Sequence, residues 1–447
     1  MGDSGSRLLV VGAGYVGLVT AVGFATAGHD VTVVEKRADR LEALLAGRVP
    51  IFEAGLQDAY DAAVAADRLR VADTPGGDPE IVMVCVGTPI GMDGQSDLSQ
   101  VRGALNELRG QLGPEVPLVI RSTMPPGSTR LAVTWAGVPE SHVFANPEFL
   151  RQGTALEDFQ KPSRIVIGRF PGADPDALSR VVALYRTFNS PLHVMDTASA
   201  ELVKNGSNAF LALKLSFTNE IAAMAEEFEA NADDVLAGIA GDPRIGGAYM
   251  RPGLGFGGSC LPKELRAMAL AGAGRGLPML VTTAASEANH AQMLRFTNRV
   301  EAAIGGLEGR TVAVLGLAFK AGTDDTRDSP PVRVIRLLLE RGARVVGMDP
   351  QAGAGALRDV PAMRLADDPM DAVTGADCCI IGTEWPEFRS LDWGAIRDRM
   401  RSPLVVDGRR LLDERVMLDL GFRYLAVGSP ERTADGSRQP PPMASRA

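Results

Sequence analysis

Lysine is scarce in this sequence, occurring only at positions 36, 161, 204, 214, 263 and 320. Arginine supplies the rest of the 46 basic side chains, against 55 acidic ones, for a formal charge of −9. Without a basic excess, binding to nucleic acid or to a membrane surface is disfavoured, since either needs a basic face. Cysteine is scarcer still. Four in 447 residues exclude a disulfide framework and indicate a reducing compartment. A hydrophobic share of 45% with 23% charged residues excludes a disordered or fibrous chain. The longest uncharged run, residues 8–28, would suffice in length for a membrane span or a signal sequence. Glycines at 12, 14, 17, 23 and 28 instead divide it into strand, turn and helix. A cytoplasmic protein of two to four domains is expected, at about 100–200 residues per domain.

What is present is a repeated α/β pattern. RLLVV (7–11) runs directly into GAGYVG (12–17), a helical stretch follows to Gly28, and HDVTVVEK returns as a second strand ending at Glu35. A G-x-G-x-x-G between strand and helix is the context in which the motif binds a dinucleotide. Gly12 makes the tight turn, Gly14 admits the pyrophosphate and Gly17 lets the helix pack on the strand. Glu35, 23 residues beyond Gly12, is placed for the ribose 2′-hydroxyl, which favours NAD over NADP. Further strand-like runs at 81–89, 117–123, 142–150 and 164–168 continue the alternation, predicting a doubly wound parallel sheet.

From Ala200 to about Ala230 the pattern turns wholly helical. At 1.5 Å per residue this predicts a helix of about 45 Å. RTVAVLGLAFK (310–320) and ARVVGMDP (343–350) then repeat the opening strand–turn–strand. GLAFK lacks the second and third glycines, so this second Rossmann-like unit is expected to keep the topology without the dinucleotide site. The expected segments are 1–197, 198–304, 305–427 and an aperiodic, disordered tail at 428–447.

Among the cysteines, Cys85, Cys378 and Cys379 lie in apolar strand-like runs and read as core thiols. Cys260 lies in GLGFGGSCLPKEL, where glycines at 253, 255, 257 and 258 allow close approach and Lys263 adds a positive charge. An accessible thiolate there is suited to attack an aldehyde and to leave from a thioester. Lys204 and Asn208 share one face of the long helix, and Glu148 stands between a strand and a helix.

The motifs GAGYVG, PIFEAGL, VGTPIG, RSTMPPGST, NPEFLRQG, VKNGSNAF, DPRIG, GLGFGGSCLPKEL, LGLAFKAGTDDTRDSP and VDGRR, in this order, resemble the UDP-glucose/GDP-mannose dehydrogenase family from Leu8 to about Leu425. The resemblance implies two Rossmann-like domains joined by a long central helix, assembled as a homodimer through that helix. It also implies NAD-dependent, four-electron oxidation of a nucleotide sugar's C6 alcohol to a carboxylate, through a thiohemiacetal and a thioester on Cys260. Lys204 and Asn208 would stabilise the oxyanion, while Thr123, Glu148 and Glu264 would serve water and proton transfer. NAD would meet Val11, Gly12, Gly14, Tyr15, Val16, Gly17, Glu35 and Arg40, then Thr88, Thr123, Gln152, Lys263 and Arg327. The nucleotide sugar would meet Glu148, Phe149, Leu150, Arg151 and Gln152 in one loop. Its other implied contacts are Lys204, Asn208, Arg244, Tyr249, Gly253, Gly257, Lys320 and Arg409. No metal is implied. The segments then read as an NAD-binding domain, a helical dimerisation region and a nucleotide-sugar-binding domain.

The chain departs from the family pattern at Glu264, where Asp is usual, at Leu261, where an aromatic is usual, and at Gln152, where Glu is usual. The DPRIG, GFGGSC, AFK and EWPEF motifs place it nearer the members that act on UDP-glucose. Members acting on GDP-mannose or a UDP-N-acetylhexosamine are the alternative.

Overall fold

The computed structural model describes residues 5–430. Internal contacts divide the chain into two compact units, Met1–Ser207 with Arg266–Pro278, and Asn208–Leu265 with Met279–Ala447. The first holds β1 (Arg7–Val11), β2 (Asp30–Val34), β3 (Leu69–Ala72), β4 (Ile81–Val84), β5 (Leu118–Ile120), β6 (Val143–Ala145), β7 (Ile165–Arg169) and β8 (Leu192–Asp196). They form one sheet in the order β3-β2-β1-β4-β5-β6-β7-β8. Every pairing from β3 to β6 is parallel, which is the doubly wound order of dinucleotide-binding folds. Such strands are covered on both faces, which explains the continuous apolar runs of β1, β4 and β5.

Three features of this sheet differ from the sequence reading. β7 runs antiparallel to β6 and parallel to β8, because an apolar run carries no direction. β3 and β8 are half-exposed and so lack an apolar run. The run at 142–150 is extended only over β6; from Asn146 the chain leaves the sheet, and the Glu148 carboxylate folds back to accept the Leu150 N–H at 2.6 Å.

At the end of β1 the turn is tight. Gly12 has φ +97°, and a Cβ on Gly17 would lie 1.7 Å from the Gly12 carbonyl oxygen. Only glycine at 17 lets the helix Tyr15–Thr26 begin directly on the strand.

The second unit holds β9 (Thr311–Leu315), β10 (Arg344–Met348), β11 (Arg364–Leu365), β12 (Cys378–Ile381), β13 (Leu404–Asp407) and β14 (Arg423–Ala426). Their order, β11-β10-β9-β12-β13-β14, repeats that of the first six strands, and all pairings are parallel. The long helix spans Thr197–Glu227, and its residues fall in both units. Gly428, where the sequence pattern starts the tail, is packed: its N–H donates to Glu226 at 2.6 Å, and the Ser429 carbonyl accepts from Arg299 at 2.7 Å. Residues 431–447 of that expected tail lie outside the described residues.

Candidate active site

In the first unit, the glycine turn presents Gly14 as N-cap of the helix Tyr15–Thr26, with no side chain capping it. The first N–H groups of the helix are therefore available to an anion, and the helix dipole favours one. A Cβ on Gly14 would lie 3.6 Å from an Arg40 guanidinium nitrogen, so a cation borders the seat. Glu35 follows β2 and is buried; its Oε1 accepts the Lys36 and Arg37 N–H groups at 2.8 and 2.9 Å. That fixes the carboxylate at the strand end, where a ribose diol would meet it. The residues fit a dinucleotide. Thr88, also buried, donates to the Thr123 carbonyl at 3.0 Å, joining the loops after β4 and β5.

Glu148 and Lys204 form an ion pair at 3.1 Å with side-chain exposures of 6% and 4%. Burial pushes the Glu148 carboxyl up, but Lys204, the Leu150 N–H and Arg121 together outweigh it and hold the group below the usual range. Glu148 is thus a buried carboxylate at neutral pH, able to accept a proton. Beside it, the Phe149 ring lies 3.8 Å from the Arg164 guanidinium and 5.6 Å from the Lys204 ammonium. Arg151 spends its guanidinium on Asp158, so its side chain is turned to its own loop. Gln152 and Gly153 close the loop, half-buried.

Buried polar residues that the sequence reading passed over hold these loops. Glu201 accepts from Gly127 and, at 2.7 Å, from both the N–H and the hydroxyl of Thr129. Asn205 donates to the Met124 carbonyl at 3.2 Å. Arg121 donates to Thr20, Asn146 and Tyr185. A signal existed: Glu201, Lys204, Asn205 and Asn208 follow i, i+3, i+4, i+7 spacing, a polar stripe along one helix.

In the second unit, Cys260 directly precedes the helix Leu261–Ala273 and is the one exposed thiol of the four. Burial makes Cys85, by contrast, hard to ionise, pushing its thiol up to about 12. The glycine loop before Cys260 has no regular structure and is framed by amide side chains. Asn219 accepts from the Gly253 N–H at 2.8 Å, and Gln292 donates to the Gly253 carbonyl at 2.7 Å. Asn289 pairs with both the N–H and the carbonyl of Phe256, at 2.7 and 2.9 Å. A Cβ on Gly257 would lie 2.2 Å from the Asp328 carbonyl oxygen, so the loop lies hard against the segment carrying Arg327. The Arg327 guanidinium is held above its usual pKa by hydrogen bonds to Asp325 first, with a smaller contribution from Cys260.

Glu264, one turn into the helix, is 1% exposed and accepts the Asn208 amide N–H at 2.6 Å. It is no surface charge. Lys263 lies beside it, half-buried. Arg409 donates to the Gly382 and Phe319 carbonyls at 2.8 and 2.7 Å and pairs with Glu384. It therefore holds together the loops after β9 and β12, and Lys320 stands on the first of them, 5.7 Å from the Phe319 ring. The two remaining expected contacts lie on the segment before the glycine loop and face solvent. Arg244 is 87% exposed and paired with Asp242, and Tyr249 is exposed with φ +62°.

Residues 6–189 match the NAD binding domain of the UDP-glucose/GDP-mannose dehydrogenase family, 198–291 its central domain and 313–414 its UDP binding domain. The UDP-glucose 6-dehydrogenase of Rhizobium meliloti (strain 1021) is 39% identical, over 95% of this chain and 100% of that protein. The chain belongs to this family. A solved UDP-glucose dehydrogenase from Pyrobaculum islandicum is 38% identical with a TM-score of 0.84, covering 96% of this chain and 99% of that one. A UDP-D-ManNAc dehydrogenase from Pyrococcus horikoshii is 26% identical with a TM-score of 0.82, covering 94% and 99%. Membership makes the protein a nucleotide-sugar dehydrogenase that uses NAD. No helix among the described residues is long and apolar enough to cross a membrane.

Proposed function

We propose that the protein oxidises the C6 alcohol of UDP-glucose to the carboxylate of UDP-glucuronate, in two successive oxidations at one carbon. Bound NAD accepts the hydride released in each. Glu148, already ionised, takes the hydroxyl proton in the first oxidation, directly or through a water held near Thr123. Lys204 and Asn208 donate to the oxygen that gains negative charge. The Cys260 sulfur adds to the aldehyde carbon as its thiolate. The thiohemiacetal oxyanion, held by Lys204 and Asn208, loses the second hydride to give a thioester while Glu148 passes its proton to solvent. Water then attacks the acyl carbon, its proton passes to Glu148 or Glu264, and the Cys260 thiolate leaves.

The observation that carries this reading is the exposed cysteine at the start of a helix in an NAD-dependent chain. A two-electron alcohol dehydrogenase has no use for a nucleophilic thiol. UDP-glucose is favoured over other nucleotide sugars by the higher identity of the relatives named for it, 39% and 38% against 26%. In this reading residues 1–197 hold NAD, 305–427 hold the nucleotide sugar, and 198–304 make a homodimer. Phe210, Phe217 and Met224 support the last point, since they leave an exposed apolar stripe along the long helix that Phe228 continues just past its end. A reducing cytoplasm suits the exposed thiol.

Incubation with NAD and a panel of UDP-glucose, GDP-mannose and UDP-N-acetylhexosamines tests the substrate. UDP-glucose should give the highest kcat/KM. A tenfold preference for any other member would overturn the choice.

A further inference from the structure

Glu53 lies in the PIFEAGL motif, in the loop before the helix Leu56–Ala65, and is 7% exposed. Its carboxylate has no ion pair among the described residues and is satisfied by other donors. Oε2 accepts the Tyr15 hydroxyl, and also the Gly153 N–H at 2.7 Å. Oε1 accepts the Ala155 N–H at 2.7 Å. The Gly153 N–H also reaches the Tyr15 hydroxyl at 3.2 Å. Burial first, then Glu53 itself, push the Tyr15 hydroxyl's pKa up, so it stays a donor.

These bonds join two pieces of chain with separate tasks. Tyr15 is the first helical residue after the glycine turn. Gly153, in a left-handed conformation at φ +84°, directly follows Gln152 in the loop that begins at Glu148. That loop is anchored at its start by the Glu148 bond to the Leu150 N–H and at its end by Glu53. Between the anchors lie Phe149 to Gln152.

We propose that Glu53 is a positioning residue for the oxidation, tying the cofactor turn through Tyr15 to the loop that presents Glu148 to the sugar. The proposal rests on the reading of Glu148 given above. Order in the cofactor turn is thereby transmitted to the catalytic carboxylate without any direct contact between Glu53 and substrate. An acid is required because one carboxylate must accept three donors at once. An amide offers one acceptor and turns N–H groups toward N–H groups.

The test is steady-state kinetics on Glu53→Gln, Tyr15→Phe and the double variant, each with a thermal melt. Glu53→Gln should raise the KM for UDP-glucose and lower kcat, each by about tenfold. Tyr15→Phe, which removes one hydroxyl, should move both in the same direction by a smaller factor. The double variant should be no worse than Glu53→Gln, because the two groups act through one set of bonds. Melting temperatures that fall while sugar KM and kcat stay at parent values would make the cluster merely structural and overturn the proposal, as would effects that multiply. A parent enzyme inert with UDP-glucose is a different failure: it overturns the substrate reading, and the same variants are then compared on the nucleotide sugar the parent does oxidise.

Discussion

The two sheets carry the same turn built to opposite ends. Gly12 donates to the Val34 carbonyl at 2.8 Å, and Gly316 donates to the Met348 carbonyl at 2.7 Å, so the turns after β1 and β9 superimpose in role. An acid follows the neighbouring strand in each, Glu35 after β2 and Asp349 after β10. Among the described residues, Glu35 bonds only to the two N–H groups that follow it, on Lys36 and Arg37. Asp349 folds back across the turn instead. Its Oδ2 accepts the Leu317 and Ala318 N–H groups at 2.7 and 3.0 Å, and Trp385 Nε1 at 3.0 Å. An internal carboxylate thus closes the second turn at the positions that Ala13 and Gly14 hold in the first. Ala318 and Ala321 stand where the first turn has Gly14 and Gly17, and the following helix does not begin until Pro330. The same strand–turn–strand shape is kept as a scaffold when a side chain of its own closes the turn.

The largest effect expected on this contrast comes from Gly17→Ala. The added Cβ would overlap the Gly12 carbonyl, moving the turn by more than 1 Å and weakening NAD binding by about 100-fold. Unchanged NAD affinity by calorimetry would show that the turn is not the cofactor seat.

Next in size is Lys204→Met, which leaves Glu148 buried without its cation and should cost about 3–5 kcal/mol at neutral pH in denaturant titrations. Its pH dependence carries a sign. In the parent, Glu148 is held below the model-compound value of 4.5, so its stabilisation is present above that pH and lost as pH falls through the lower, folded value. Without Lys204 burial dominates and the carboxyl rises, so the variant should lose stability as pH climbs above 4.5. A variant that keeps the parent's pH profile would mean the pair is not what holds Glu148 ionised.

Asp349→Ala should cost roughly 1–3 kcal/mol by orphaning buried donors, with NAD affinity unchanged. A change in NAD affinity would show that the second turn takes part in cofactor binding. The smallest effect is that of Glu35→Gln, which should narrow the preference for NAD over NADP by about tenfold, near one charged hydrogen bond. Equal use of both cofactors by the parent would instead assign the ribose contact to Lys36 or Arg37.

The contrast between the turns also marks what could be read from the chain itself. The missing glycines of GLAFK marked the second turn as unlike the first, because glycine spacing is local. That Asp349 closes the second turn was not legible, since its turn partners lie 31 and 32 residues away and a lone Asp after a strand has no signature. Glu53 and Asn289 escaped for the same reason: each is a single polar residue whose partners are distant in sequence. Cys260 stood out because four glycines precede it. Glu264 was noticed as a departure from a motif, and only its burial against Asn208 shows that the longer side chain is accommodated inside.

The central claim is that Cys260 retains the aldehyde so that one carbon is oxidised twice. Counting NADH formed per UDP-glucose consumed, with parent and Cys260→Ala side by side, tests it most directly. Two NADH per sugar and no free aldehyde are predicted for the parent, with acid formation lost and NAD affinity kept in the variant. A plateau at one NADH per sugar, or a variant that still makes the acid at the parent rate, would contradict it.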